Sequence, residues 1–598
     1  MNEIAHFDPD AKLRQASALH RSGRLSEAAA AYSALLGRFP GRPEALKGLG
    51  AIALQLGRFE EGAAILGRLL ELVPDQPETL SNRAFGLLKL KRYEEALASS
   101  TRAIALRPDL VEAYNNRGNA LKALHRLEEA LVSYDGALAL APACAEAHNN
   151  RGNTLRSLKR PEEALASYDR ALALKSDFAE AHNGRGNSLA SLNRQQEALS
   201  SYERALALRS GYAEAWNGRG AALMALDRPE EALASFDRAL AVNPNHAEAR
   251  NNRALVLIGD GHLDPALSEL DRALAIKPDY AEAHWNKSIA KLLQGDFADG
   301  WRLYEWRWKT AQFSAARPCP GPLWLGNEDI AGKTLLIYRE QGLGDFIQFC
   351  RYAPLAKALG VEVIMEVPAP LMPLLATMPG RFELIEEGMS LPAFDRCCPA
   401  MSLPLAFRTT LADVPAAVPY LHADEERRSR WREWLGEKTR PRIGLVWSGS
   451  REHRNDRNRS IPLTLLEPLL KLPFEFHSLQ REIRPDDATM VQQGRILPHA
   501  ERLSDFAETA ALIREMDIVI SVDTAVAHAA GAFGAKVWIL LPFSPDFRWM
   551  LDSRRSPWYP SARLFRQSLR GDWSSVIREV ADHLAAEWPA GPIARQTR

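Results

Sequence analysis

Three short stretches in the second half of the chain hold residue types that can do chemistry together. Residues 341–345 read QGLGD. Gly342 and Gly344 permit a tight turn, and Asp345 falls where a helix would begin. A carboxylate there can act as general base towards an acceptor hydroxyl; an aspartate that merely caps a helix has the same signature. Residues 521–528 read SVDTAVAH. A strand ending at Asp523 and Thr524, followed by a helix of small residues from Ala525, leaves backbone N–H groups at a positive helix end, a natural seat for a diphosphate. Thr524 can add a hydrogen bond, and His528, one turn in, can stabilise charge building on a leaving group. The plainer alternative is a Thr524 N-cap and a histidine satisfied in the core. Residues 447–462, WSGSREHRNDRNRSIP, are dense in Ser, Gly and Arg. Ser448 and Gly449 suit phosphate contacts and Arg459 offers a planar fork for phosphate oxygens, although a basic loop taken alone is commonly just solvated.

The elements around these stretches alternate. Short apolar runs (LLIY, VEVIMEV, FELIEE, then IGLVW, FEFHSL, DIVISV and VWILL) are separated by helical segments. Such alternation indicates parallel sheets covered by helices on both faces. The two series, joined near 427–441, predict two Rossmann-like lobes at 334–426 and 441–570, with a C-terminal helix and tail at 571–598. Ligands of such sheets bind outside the carboxyl ends of the strands. Nothing in the pattern places the loop PFSPDFRWM (542–550). Trp301, Trp306, Trp308, Trp549 and Trp558 are expected to pack rather than to stack on a sugar. The pair Asp486 and Asp487 is expected on the surface.

The first half is one motif repeated. Segments starting at Val111, Ala145, Ala179, Ala213, Ala247 and Ala281 follow one another at a period of about 34, the tetratricopeptide spacing. Gly118, Gly152, Gly186 and Gly220 recur, as do Ala130, Ala164, Ala198 and Ala232, followed by Tyr134, Tyr168, Tyr202 and Phe236. Looser copies start at Pro9, Pro43 and Pro77. After a tail at 1–8, an α-solenoid of about nine repeats is therefore expected over 9–314, and a Pro/Gly-rich linker over 315–333. Asn115, Asn149, Asn183, Asn217 and Asn251 hold one position in successive units, and Asn119, Asn153 and Asn187 lie on the same helix face. Such a column of amides can clamp an extended peptide backbone, or it can reflect duplication of residues that only solvate helices. It resembles the asparagine ladder of the protein O-GlcNAc transferases. Arg83, Arg117, Arg151, Arg185, Arg219 and Arg253 stand where the repeat pattern usually has leucine, so their heads should reach carboxylates or solvent.

The stretches EQGLGDFIQFCRY, SLQ (478–480) and DTAVAHAAGA together resemble glycosyltransferase family 9, the heptosyltransferase-like family, over about 322–567. The resemblance implies a GT-B pair of lobes and metal-independent, inverting transfer from a nucleotide sugar, with no cofactor. It implies Asp345 as base, Asp523, Thr524 and His528 in the phosphate loop, Arg459 as the basic residue ahead of the helix, and Gln480 beside the nucleoside. Ala525 stands where the family often has glycine, but its N–H is available. The long repeat array favours a protein acceptor over a lipid.

Bulk properties narrow the field. The chain has 598 residues with 75 basic and 75 acidic side chains, so nucleic acid is a poor partner. Its five cysteines suggest neither a disulfide framework nor a zinc site. No stretch reaches the length of a membrane span, and the expected location is cytoplasmic. A nicotinamide oxidoreductase would use Glu366 on the ribose, but the loop lacks the third glycine of the dinucleotide fingerprint. An interaction scaffold with an inactive lobe, or a heptosyltransferase-like enzyme acting on a glycolipid or oligosaccharide, remain as alternatives.

Overall fold

The computed structural model describes residues 8–313, 319–453 and 455–588. Residues 1–7 of the expected tail, part of the linker, one residue of the basic loop and the last ten residues of the chain lie outside them. Helices run in antiparallel pairs from Pro9–Arg21 with Leu25–Arg38 to Ala281–Leu293 with Phe297–Tyr304. The recurring glycines have a steric cause. A Cβ on Gly152 would meet the Tyr168 ring at 2.8 Å, and one on Gly186 would meet Tyr202 at 2.7 Å. The aromatic of the second helix thus fills the space the glycine leaves on the first, while Ala130, Ala164, Ala198 and Ala232 are fully buried. The arginine column behaves as its spacing implied: Arg151 donates to Asp135 (2.7 Å) and Ser167 (2.8 Å), and Arg185 donates to Asp169 and Ser201.

The chain forms two compact units, divided between Ala249 and Arg250. In the second unit, the last helices are part of the α/β core. The Trp301 ring meets Phe349 and Phe547 edge-on, and Phe297 stacks on Trp558. Of the aromatics expected to pack at the end of the array, Trp301 is buried, while Trp306 and Trp308 are half-buried, against His284 and Phe313.

This unit contains two parallel sheets. The first has β1 (Thr334–Tyr338), β2 (Glu362–Val367), β3 (Glu383–Glu386) and β4 (Arg396–Pro399), in the order β3-β2-β1-β4. The second has β5 (Arg442–Val446), β6 (Glu475–Ser478), β7 (Ile518–Val522), β8 (Val537–Leu541) and β9 (Ala562–Arg566), in the order β6-β5-β7-β8-β9. Every residue of β5, β7 and β8 is buried, as continuous apolar strands of a covered parallel sheet should be. In each sheet the chain order reverses beside the first strand, between β1 and β4 and between β5 and β7. Those are the switch points where a crevice opens at the strands' carboxyl ends.

Two expectations are corrected. Cys319 and Cys397 are joined as a disulfide, with Cα atoms 6.3 Å apart. Asp487 is buried, not on the surface. It accepts from the Trp447 indole at 2.8 Å and from the Leu463 N–H, two donors that replace the water a surface carboxylate would have.

His477 and His499 form a buried pair, Nδ1 to Nε2 3.1 Å. Burial holds each imidazole down to about 4; the partner ring adds to the effect on His477, and Arg502 to that on His499. In the unfolded chain both protonate near the ordinary value of about 6.5. The unfolded state therefore binds more protons between these values, and stability is lost as pH falls from about 6.5 towards 4. Each histidine contributes at most about 3 kcal/mol to that loss. The stability advantage of the wild type over the His477→Gln/His499→Gln variant should shrink steadily across that window in urea titrations. A pH-independent difference would contradict the neutral pair.

Candidate functional site at the carboxyl ends of β1, β5 and β7

The loop after β1 leads into the helix Leu343–Phe349, with Gly342 at the N-cap. Asp345 sits one position beyond the second glycine of the loop, not at the cap itself. Its Oδ2 accepts the Gly342 N–H at 2.7 Å, and its Oδ1 pairs with Arg548. The loop after β7 leads into the helix Ala525–Ala532, with Thr524 at the N-cap and no side-chain cap bond; the Thr524 hydroxyl turns to Ser521 Oγ at 3.1 Å. The first N–H groups of this helix are therefore left by Thr524 for another acceptor. The two helix starts touch. A Cβ on Gly344 would lie 2.8 Å from His528 Cδ2 and 3.2 Å from Ala525 Cα, so only glycine allows QGLGD and DTAVAH to meet this closely.

His528 is buried. Its Nδ1 lies 2.9 Å from the Tyr559 hydroxyl, its Nε2 3.8 Å from Asp523 Oδ1, and its ring stacks on Trp549. Burial, followed by the charges of Arg548, Arg351 and Arg459, holds the imidazole well below its usual range, so it is neutral at neutral pH. Burial also lifts Asp523 to about 6, with the Asp546 carboxylate adding to it. The Asp523 carbonyl accepts from Arg459 Nη1 at 2.8 Å, while Arg459 Nε has no hydrogen-bond partner. Arg459 reaches this point across Gly449, where a Cβ would lie 2.4 Å from its guanidinium.

The rest of the β5 loop is spent inside the protein. Gln480 Oε1 accepts from the Trp447 N–H at 2.7 Å and the Ser448 N–H at 2.9 Å, and its Nε2 donates to Ser448 Oγ. The Gly449 N–H goes to Ser460 Oγ. Gln480 thus braces the loop, Gly449 makes room for Arg459, and Ser448 carries no unspent backbone donor.

Arg548 escaped the sequence reading. It lies on the loop that follows β8 and donates to Asp546 Oδ1 at 2.7 Å and to Gln348 Oε1 at 2.9 Å, in addition to Asp345. Burial works against its charge, but Asp546 and Asp345 more than offset that and hold its pKa above the ordinary value. The one signal was its position after a parallel strand, where clefts are lined.

In the first unit, Asn149 and Asn183 are buried, and the Oδ1 atoms of Asn115, Asn149 and Asn183 have no hydrogen-bond partner. Asn217 is half-buried. The second column is committed: Asn119, Asn153 and Asn187 each accept from a tyrosine hydroxyl, Tyr134, Tyr168 and Tyr202, at 2.7–2.8 Å. In the second unit, Asn251 is buried and accepts from Asn286 at 2.8 Å.

The tetratricopeptide repeat family matches residues 13–77, 111–144, 145–178 and 213–246, and a TPR repeat pattern matches 87–125 and 186–227. A curated relative, Protein FlbA of Caulobacter vibrioides, is 29% identical over 320 residues, covering 49% of this chain and 53% of its own. The chain thus spans about half the length of the curated relative it matches. Similar solved structures include YrrB, described as a TPR protein with an unusual peptide-binding site (29% identity, TM-score 0.26, 31% of this chain and 95% of that one). The Cut9–Hcn1 hetero-tetramer of APC/C is 19% identical (TM-score 0.38, 48% and 57%), and MamA is 22% identical (TM-score 0.25, 28% and 96%). The helical first half is an array of tetratricopeptide repeats, followed by a parallel-sheet region. Among the described residues no helix is long and apolar enough to cross a membrane.

Proposed function

We propose that this chain is a metal-independent, inverting glycosyltransferase with GT-B-like lobes, moving a sugar from a nucleotide-sugar donor to a polypeptide held by its repeats. The observation that carries the reading is the contact of two helix starts, one bearing Asp345 and the other left uncapped by Thr524. The donor diphosphate lies over the N–H groups that begin at Ala525, with Arg459 at one side. Asp345 takes the proton of an acceptor hydroxyl as that oxygen bonds to the anomeric carbon. The bond from that carbon to the diphosphate breaks, and neutral His528, through its ring N–H, stabilises the departing charge. Gln480, Ser448, Gly449 and Asp523 shape the walls of this seat, Gly342 and Gly344 the turn opposite.

A thermal-shift series with UDP, ADP, GDP and CMP tests the donor seat, since a ligand bound only by the folded state raises the melting temperature. One nucleotide should raise it, and Arg459→Ala should abolish the rise. No rise with any nucleotide or nucleotide sugar would contradict the reading. A second reading, an interaction scaffold with an inactive lobe, draws on one observation: Asp345 already holds two protein partners.

A further inference from the structure

Ion pairing along the repeats of the first unit is uneven. Arg92, Arg126, Arg160, Arg194 and Arg228, at the start of each second helix, all pair with a glutamate three residues on. The cations that end the first helices of three successive repeats do not. Lys122 and Arg156 lie in the last turns of Val111–Ala123 and Ala145–Ser157. Lys89 ends Pro77–Lys89, and Lys91 and Lys159 occupy the left-handed turns that follow. Among the described residues, none of these five has an ion pair.

Cations in a last helical turn suit the helix dipole, and Arg21 ends the first helix of the array in the same way, but the dipole does not explain why they gather in three successive repeats. Position for position, the next two repeats carry Ala190 with Asn193 and Met224 with Asp227. The helices Pro77–Lys89, Val111–Ala123 and Ala145–Ser157 lie side by side, which gathers the charges on one edge. Lys122 is half-buried there, and burial and then Arg156 lower its pKa, the response of a cation facing another cation with no anion between. On the helix face that carries Lys122, one and two turns back, lie Asn119 and Asn115.

We infer that the first unit binds an acidic stretch of a polypeptide, its carboxylates meeting Lys122, Arg156 and the neighbouring lysines while its backbone runs along the asparagine column. This rests on the peptide-holding part of the proposed function and names the chemistry of its partner. The amides match a peptide backbone, and the zero net charge of the whole chain disfavours a nucleic acid.

The test is fluorescence anisotropy of the full-length protein with labelled 16-residue peptides of Glu-Ser-Glu-Ala, Gln-Ser-Gln-Ala and Lys-Ser-Lys-Ala repeats, and with a dT oligonucleotide. The glutamate peptide should bind at least tenfold more tightly than the glutamine one and weaken with salt. Lys122→Glu/Arg156→Glu should remove that preference, whereas Lys122→Arg/Arg156→Lys and the remote Lys471→Glu should keep it. Equal binding of the glutamate and glutamine peptides, unchanged by the double variant, would overturn the acidic specificity and leave a peptide groove standing. Binding of no peptide would remove both, and tighter binding of dT than of the glutamate peptide would make the edge a nucleic-acid surface and overturn the inference.

Discussion

Asp345→Asn is expected to lower sugar transfer by about 10²–10⁴-fold, the usual range for loss of a general base, with the affinity for the donor nucleotide unchanged. Asparagine is the informative replacement because it retains an oxygen for the Gly342 N–H and so spares the helix start. The donor groups assigned to the nucleotide, the N–H groups after Thr524 and the Arg459 guanidinium, belong to other elements. A kcat loss without a change in donor binding is therefore the signature of a base. Nucleotide binding lost together with turnover would show that the carboxylate supports the site through Arg548 instead. Turnover at the wild-type rate would remove Asp345 from the chemistry altogether.

Arg307→Met is expected to destabilise the second unit by about 3–5 kcal/mol, the cost of leaving buried charges without their partner. Arg307 is 0% exposed. It donates to Glu340 at 2.9 Å, to Glu305 at 2.7 Å and to Ser402 at 2.7 Å. Burial already pushes the Glu340 carboxyl up to about 7, with Arg307 pulling the other way. Removing the guanidinium leaves two carboxylates facing each other in an apolar setting. Urea unfolding followed by tryptophan fluorescence reads the loss. Adding Glu340→Gln should recover part of it, since a neutral amide has no charge to strand. A single variant within about 0.5 kcal/mol of wild type, the size of an ordinary surface change, would contradict this account. The cluster also bears on the site, because Glu340 and Gln341 open the QGLGD loop and Gln341 donates to Tyr304 at 2.8 Å.

The legible parts of the sequence were those where local pattern and tertiary role coincide. The Gly–Tyr spacing of the repeats is readable because each glycine exists to admit the ring of its own repeat. The strands β1, β2, β5, β7 and β8 are apolar runs because both faces of a parallel strand are covered. QGLGD and DTAVAH stood out because a glycine turn and a small-residue helix start directly follow such strands. Strand β4, RCCP, lacks β-branched residues and ends in proline, so nothing local marks it. Strand β9, ARLFR, has the arginines of an edge strand. Long-range roles were out of reach in principle. Asp487 reads as a surface acid until Trp447 is placed beside it. Gln480 reads as a ligand contact until its oxygen is found on the Trp447 and Ser448 N–H groups. Arg548 meets Asp345 only through the fold, which brings the loop after β8 to the helix after β1.

The most direct test of the central claim is the release of nucleotide from donor sugars. Purified full-length protein would be incubated with UDP-, ADP-, GDP- and CMP-sugars and an acidic serine-containing peptide, and the free nucleotide and peptide mass followed together. The account predicts release of one nucleotide matched by a sugar-sized gain in peptide mass, both abolished in Asp345→Asn. An unmodified peptide and intact donors throughout would contradict it.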